Sequence, residues 1–580
     1  MMQTAVAQES PIASQKGHPK GLSVLFATEM WERFNFYGMR ALLTLFLVNA
    51  LAFSEADSSY IYGGFLGLCY LTPMLGGYIS DRYLGNRNCI LLGGFVMGTG
   101  QLFMVLSAIL YATNVETAKI FVLIALLIII FGNGFFKPNI SSMVGQLYPK
   151  GDGRLDSAFT IFYMGINMGA FLGMLICPIL GDKVDLNGVR MVGAFKWGFL
   201  AAGLAMFLGT ILFYFLKNKY VVRPDGTAIG AKPDFSKPNP SNTNNEAEKA
   251  NFTQTAIIGV LGLMVVLFSV IHYLSLDPGV AFFSLKGNLI KSLLYPFIYA
   301  AGISLAVLIL TDKSITKVER QRIIVIYFVA FFVIFFWACF EQAGSSLTFI
   351  ADYQTDRRLL GWDMPPSFVQ NANSIFIIVF ALPFSWLWLK LQQRNLEPIS
   401  PMKQSLGLAL LALGFLIIAL QMKSLGPNEK LGVSWLILMY LFHTLGELCL
   451  SPIGLSLVSK LAPHRFSSLL MGVWFLANAA GYALAGTLGA LLPPTMDKYA
   501  LATKNGIDLK GILDGTISAT AQQLDKLQEL KLAAHYPTFA GFTIHNLYEF
   551  FMVFVILPGA AAVLLFLSTS FLKKWMHGVR

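Results

Sequence analysis

Charge is scarce in this sequence. Of its 580 residues only 13% are charged, about half the share of a soluble globular protein. With 56% hydrophobic residues and a mean hydropathy of +0.63, an ordinary water-soluble protein is excluded. Cysteine is sparse too: Cys69, Cys89, Cys177, Cys339 and Cys449 lie within or beside apolar runs. None pairs at a metal-ligand spacing, and buried single thiols are usually inert packing residues. No Gly-x-x-x-x-Gly-Lys-Ser/Thr loop occurs, which argues against ATP as an energy source on this chain. The first twenty residues lack an apolar core, so no cleavable signal peptide is expected. The spans show no nucleophile–base set and no metal cluster, so an enzyme is not expected. The net charge of +11 comes from bases that punctuate the ends of apolar runs. That is the pattern of cytoplasmic loops, and nucleic acid is not an expected partner.

What the sequence does have is long apolar runs. A spanning helix needs about 20 mostly apolar residues. Six candidates lie near 22–50, 59–80, 89–112, 117–137, 157–180 and 193–216, and two more near 254–275 and 289–311. Six others lie near 323–350, 367–390, 404–422, 432–460, 466–491 and 543–572. The expectation is an all-α polytopic protein of two six-helix bundles plus a two-helix hairpin, 14 transmembrane helices in all. Its parts read as a tail (1–21), an N-terminal bundle (22–216), a linker carrying the hairpin (217–322) and a C-terminal bundle (323–575). Residues 217–251, rich in Pro, Asn, Ser and Lys, cannot pack a core and read as flexible. An even number of spans puts both termini on one side. Lys and Arg in 217–251, 312–322 and 573–580 make that side cytoplasmic. The long polar insert 492–541 then lies outside, with helical spacing in ISATAQQLDKLQELKLAAH that predicts one surface helix. Two bundles around a central path suggest alternating access.

The run TEMWERFNFYGMRALLTLFLV, residues 28–48, holds Glu29, Glu32, Arg33 and Arg40 in a segment apolar enough to span a bilayer. At about 100° per residue, Glu29, Arg33, Tyr37 and Arg40 share one wall of a helix. Charges at that depth are costly and mark function. A static ion-pair ladder is the structural alternative, yet apolar packing would replace such a ladder at no loss. Lys137 in GNGFFKPNIS, Glu341 in FWACFEQAGSS and Glu447 in HTLGELCLSPIG extend the set. Four carboxylates thus face three bases, and one added proton neutralises the group. The bases sit in the first bundle while Glu341 and Glu447 sit in the second. A zwitterion bridging Arg40 or Lys137 and Glu447 would therefore favour a closed state over either open one.

At these residues the sequence closely resembles the proton-dependent oligopeptide transporters (POT/PTR) of the major facilitator superfamily, bacterial peptide transporters in particular. EMWERFNFYG is similar to the family's Glu-x-x-Glu-Arg-Phe-x-Tyr-Tyr motif, and GGYISDRYLGNR to the superfamily loop motif. FFKPNIS, FTIFYMGINMGAF, FWACFEQAGSSL and GELCLSPIG resemble its fourth-, fifth-, seventh- and tenth-span signatures. The resemblance implies a proton-driven importer of di- and tripeptides in the bacterial inner membrane, with no cofactor beyond protons and a monomer as working unit. It implies Glu29, Glu32 and Arg33 as the proton-coupling group with Lys137 as cross-helix partner. Arg40 would bind the peptide carboxylate and gate with Glu341. Asn167, Asn373 and Glu447 would hold the amino end, while Tyr37, Tyr70, Trp337, Ser451 and Trp474 would line side-chain pockets. Phe36, Phe340 and Ser374 depart from the usual pattern, and the second span lacks the histidine of some members. A same-fold carrier of nitrate or an amino acid is the nearest alternative, and an ion channel the next.

Overall fold

The computed structural model describes residues 17–149, 154–185, 189–223, 226–232, 252–276, 290–426 and 429–579. Most of the tail 1–21, most of the linker 217–251 and the hairpin loop therefore lie outside the described residues. The first six long helices are α1 (Lys20–Asn49), α2 (Glu55–Ile79), α3 (Asn86–Leu110), α4 (Val115–Gln146), α5 (Leu155–Gly181) and α6 (Phe195–Tyr220). The hairpin follows as α7 (Gln254–Ser275) and α8 (Tyr295–Leu310). The second half holds α9 (Lys317–Phe340), a short α10 (Ser346–Tyr353), α11 (Ala372–Gln393), α12 (Ser400–Ser424), α13 (Val433–Leu461) and α14 (Ser467–Gly489). Three short helices, α15 (Met496–Lys504), α16 (Leu509–Leu513) and α17 (Ala521–Glu529), precede the last long one, α18 (Leu547–Trp575).

Side-chain caps fix several helix starts by satisfying otherwise orphaned N–H groups. Ser54 accepts from Asp57 N at α2 and Asn114 from Thr117 N at α4, each at 3.0 Å. Thr316 and Glu319 close a reciprocal capping box at α9. Twelve of the described helices are long and apolar enough to cross a membrane. The charged α1 and the Gly-rich α2 match them in length and complete the fourteen. One apolar core gathers α1–α6 around Leu42, Phe46, Met97 and Phe199, and a second gathers the later helices around Ile326, Leu411, Phe415 and Phe554. Helix α7 stands outside both, with only 6% of its most apolar stretch buried against 78% for α14. Its exposed flank of Ile258, Leu261 and Val265 suits lipid.

Two expectations need correction. The fourth span does not end near Lys137 but runs to Gln146, so Lys137 sits inside the helix. Pro138 cannot bond the carbonyl of Gly134, and that oxygen instead faces Gly76 of α2 at close range. The seventh run is not one helix: α9 stops at Phe340, a 3₁₀ turn spans Glu341–Gly344, and Ser345 breaks direction before α10. In the insert the expected surface helix is present as α17, and α15–α17 together enclose a small core of Ala502, Leu509, Ile512 and Leu527.

The close passage of α2 and α4 makes a sharp prediction. A Cβ on Gly76 would lie 2.0 Å from the Gly134 oxygen, whereas one on Gly77 meets nothing nearer than 3.8 Å. Gly76→Ala is expected to cost about 3 kcal/mol by overpacking and to lower the melting temperature in detergent. Gly77→Ala is expected to leave it unchanged; equal melting of the two variants would contradict this packing.

Candidate functional site

The charged wall of α1 arises because Glu29, Arg33, Tyr37 and Arg40 recur every three or four residues. Arg33 Nε lies 2.9 Å from Glu29 Oε1 and 2.5 Å from Glu32 Oε2, and all three residues are buried. Asn133 of α4 donates to Glu32 at 3.4 Å. Two turns further along, Arg40 Nη2 reaches Glu341 Oε2 at 3.0 Å. The Tyr62 hydroxyl of α2 donates to the same carboxylate oxygen, also at 3.0 Å. The end of α9 at Phe340 is what presents Glu341 to Arg40. Gly344 gives Tyr62 its room, since a Cβ there would lie 2.1 Å from the hydroxyl.

These groups wall a cavity of about 350 Å³ between the halves, within the range of small-ligand sites. From the first half Glu29, Arg33, Tyr37, Arg40, Tyr70 and Lys137 line it. From the second come Trp337, Glu341, Asn373, Glu447, Ser451 and Trp474. Two of the singled-out residues are absent from this wall. Glu32 is sealed behind Arg33 at 0% exposure. Asn167 turns its amide back to the Tyr163 carbonyl of its own helix at 2.9 Å, as amides do in apolar helices.

Two charged groups on the wall have no ion pair within 4 Å among the described residues. Lys137 was expected to be the cross-helix partner of the α1 group; the ion pairs of Glu29 and Glu32 within 4 Å go to Arg33, beside both on the same helix, while Lys137 acts on the two acids from a longer range. The Lys137 ammonium rests on the face of Tyr70, 3.6 Å from the ring centroid, with no carboxylate within 4 Å among the described residues. Across the cavity, Glu447 accepts from Asn373 Nδ2 at 3.1 Å, and that amide also donates to Thr444 at 2.9 Å. No cation pairs with Glu447 among the described residues. Tyr482 joins the two halves as an aromatic floor, with ring centroids 4.6 Å from Tyr70 and 5.7 Å from Trp337.

Tyr62, Asn133 and Thr444 were not anticipated from the sequence. Asn133 precedes Lys137 by four residues and Thr444 precedes Glu447 by three, so helix periodicity places each on a charged face. Tyr62, in IYGGF, carries no such signal.

The halves are fastened at the end of the molecule where α1 finishes and α2 begins. There Arg190 holds Asp352 through two contacts, at 2.7 and 2.9 Å, and Asp182 at 3.0 Å. Burial works against the Arg190 charge, but the two carboxylates outweigh it and raise its pKa. Ser367 donates to Asp182 at 2.7 Å and Thr44 to the Gly344 carbonyl at 3.0 Å. At the other end, where α1 starts, the lining residues Ser141 and Leu455 are exposed. The cavity therefore opens toward the end where α1 starts.

Comparison with known proteins agrees with this architecture. A family model described as POT family matches residues 87–501. The chain is 34% identical to "Peptide transporter YePEPT" of Yersinia enterocolitica, covering 82% of this chain and 88% of that protein. It is 32% identical to a "Di-/tripeptide transporter" of Lactococcus lactis, covering 86% and 94%. Among solved structures, that of "peptide transporter POT in complex with sulfate" superposes with a TM-score of 0.68 at 27% identity, over 97% of each chain.

Proposed function

The chain belongs to the POT family, an integral-membrane transporter family, and from that premise we propose that it is a proton-coupled symporter importing di- and tripeptides by alternating access. The observation that carries this reading is the pair of opposite charges, Lys137 and Glu447, that line one cavity with no ion pair within 4 Å among the described residues. A cation on one wall and a carboxylate on the other match the two ends of a zwitterion. A lone anion such as nitrate would leave Glu447 uncompensated in a site of low dielectric, which is unfavourable.

In this reading the peptide carboxylate sits by Lys137 and Arg40, and the ammonium sits by Glu447 and Asn373. Tyr37, Tyr70, Trp337, Ser451 and Trp474 face the side chains. As the carboxylate takes Arg40, Glu341 loses its counter-charge and binds a proton. Glu29, Glu32 and Arg33 form a second proton-responsive group behind the wall. Asn167 contributes by holding α5 rather than by touching peptide. One net positive charge entering with a neutral zwitterion gains about 2.3 kcal/mol per 100 mV of membrane potential. The open end is cytoplasmic, with both termini on that side of the bacterial inner membrane, and a monomer suffices.

Counterflow of labelled dialanine into proteoliposomes tests the substrate class. Unlabelled di- and trialanine are expected to compete, while nitrate, free alanine and a dialanine blocked at both ends are not. Competition by nitrate or alanine equal to that of dialanine would overturn the reading.

A further inference from the structure

The insert after α14 reaches across the seam between the halves. Lys498, in the first turn of α15, places its ammonium 3.0 Å from Glu55 Oε1, and Glu55 is the first residue of α2. The pair is mostly enclosed, with side-chain exposures of 20% and 14%. The same ammonium lies 3.7 Å from Asp497 and 5.4 Å from the ring centroid of Tyr353 in α10. Thus one insert residue touches both halves at the fastened end. It is not carried on a loose loop, because the core of α15–α17 braces it from behind. The family match stops at residue 501, inside α15, so most of this brace lies beyond the matched region.

The geometry beneath the contact makes it conditional on conformation. α2 and α14 touch almost backbone to backbone: a Cβ on Gly63 would lie 2.8 Å from Gly486 Cα. Ser59, buried on the next turn of α2, meets Ser345 at 3.2 Å. Opening the cavity at this end requires the start of α2 to leave the end of α14, to which the insert is tethered by residues 490–495. The Lys498–Glu55 contact has to part in that step.

We propose that the insert 492–541 is a latch on this end of the carrier, in which Lys498 clasps Glu55 across the seam and must release before the cavity opens there. This rests on the alternating-access reading, but its test needs no cargo. Ser59→Cys provides a buried reporter whose labelling by a bulky maleimide, in detergent-purified protein, reads how often this end opens. Adding Lys498→Glu is expected to raise the labelling rate about fivefold, the weight of one partly buried ion pair. The charge swap Glu55→Lys with Lys498→Glu is expected to restore the parent rate. An unchanged rate with Lys498→Glu, or a raised rate that persists in the swap, overturns the latch. So does an equal rise in Lys498→Glu lacking the reporter, since that marks general loosening around the buried native cysteines. A chain that carried no dipeptide would leave this readout intact, so failure of the latch and failure of the substrate reading are distinguishable.

Discussion

Glu341→Gln is expected to abolish accumulation of dipeptide against its gradient, by about a hundredfold or more, while exchange of peptide for peptide continues. The expectation follows from where Glu341 sits. The residue is 4% exposed, and its carboxylate is held by Arg40 and Tyr62. Removing one partner from a buried pair costs about 3–5 kcal/mol. In the proposed cycle the peptide carboxylate draws Arg40 away, and that cost falls on an unpaired Glu341 until a proton relieves it. A glutamine keeps the shape and can still accept from Tyr62, yet it has no charge to neutralise. Binding and rocking then persist without an obligatory proton. The check is paired: uptake driven by an imposed pH gradient, and counterflow with no gradient, on one reconstituted batch. Gradient-driven accumulation equal to that of the unmodified protein would remove Glu341 from the coupling step. Loss of both activities would point instead to a structural role at the α9 break.

Glu447→Gln is expected to weaken binding of free dipeptides by about 10- to 100-fold, the range of a charge-assisted hydrogen bond lost. The amide of Asn373 is the only described hydrogen-bond donor to Glu447. Glutamine at 447 retains a carbonyl for that amide, so the cavity wall stays in place while its charge is gone. The loss should depend on the ligand. N-acetyl-dialanine, which has no ammonium, should compete equally with the variant and the unmodified protein. Dialanine should lose affinity only with the variant. A uniform loss for both ligands would show that Glu447 supports the wall rather than meeting the amino end.

Much of this site was legible in the sequence because buried charge is so conspicuous. Glu29, Arg33, Arg40, Lys137, Glu341 and Glu447 each interrupt an apolar run, and helix periodicity alone sets four α1 residues on one wall. The six-two-six order of helices was readable from run lengths for the same reason. Pairing was less legible. Sequence spacing cannot decide between Arg33 and Lys137 as partner of the α1 acids, since that depends on how far α4 stands from α1. Nor could it show Asn167 bending back to Tyr163, because an amide finds its own helix as readily as a ligand. The break after Phe340 was hidden by the apolar residues on both sides, although Gly344-Ser345-Ser346 carries the composition of a turn. In the insert, helical spacing marked only the surface stretch. The small core against which it packs is built from scattered residues such as Ala502, Leu509 and Ile512.

Proton movement measured together with peptide movement is the most direct test. Proteoliposomes loaded with a pH indicator, with no starting pH gradient, would receive dialanine outside while an inside-negative potassium potential is imposed. The proposed coupling predicts internal acidification that needs both dialanine and the potential, and that vanishes with a dipeptide blocked at both ends. Dialanine entry with no acidification, or acidification that ignores the peptide, would contradict a cavity in which zwitterion and proton share one set of charges.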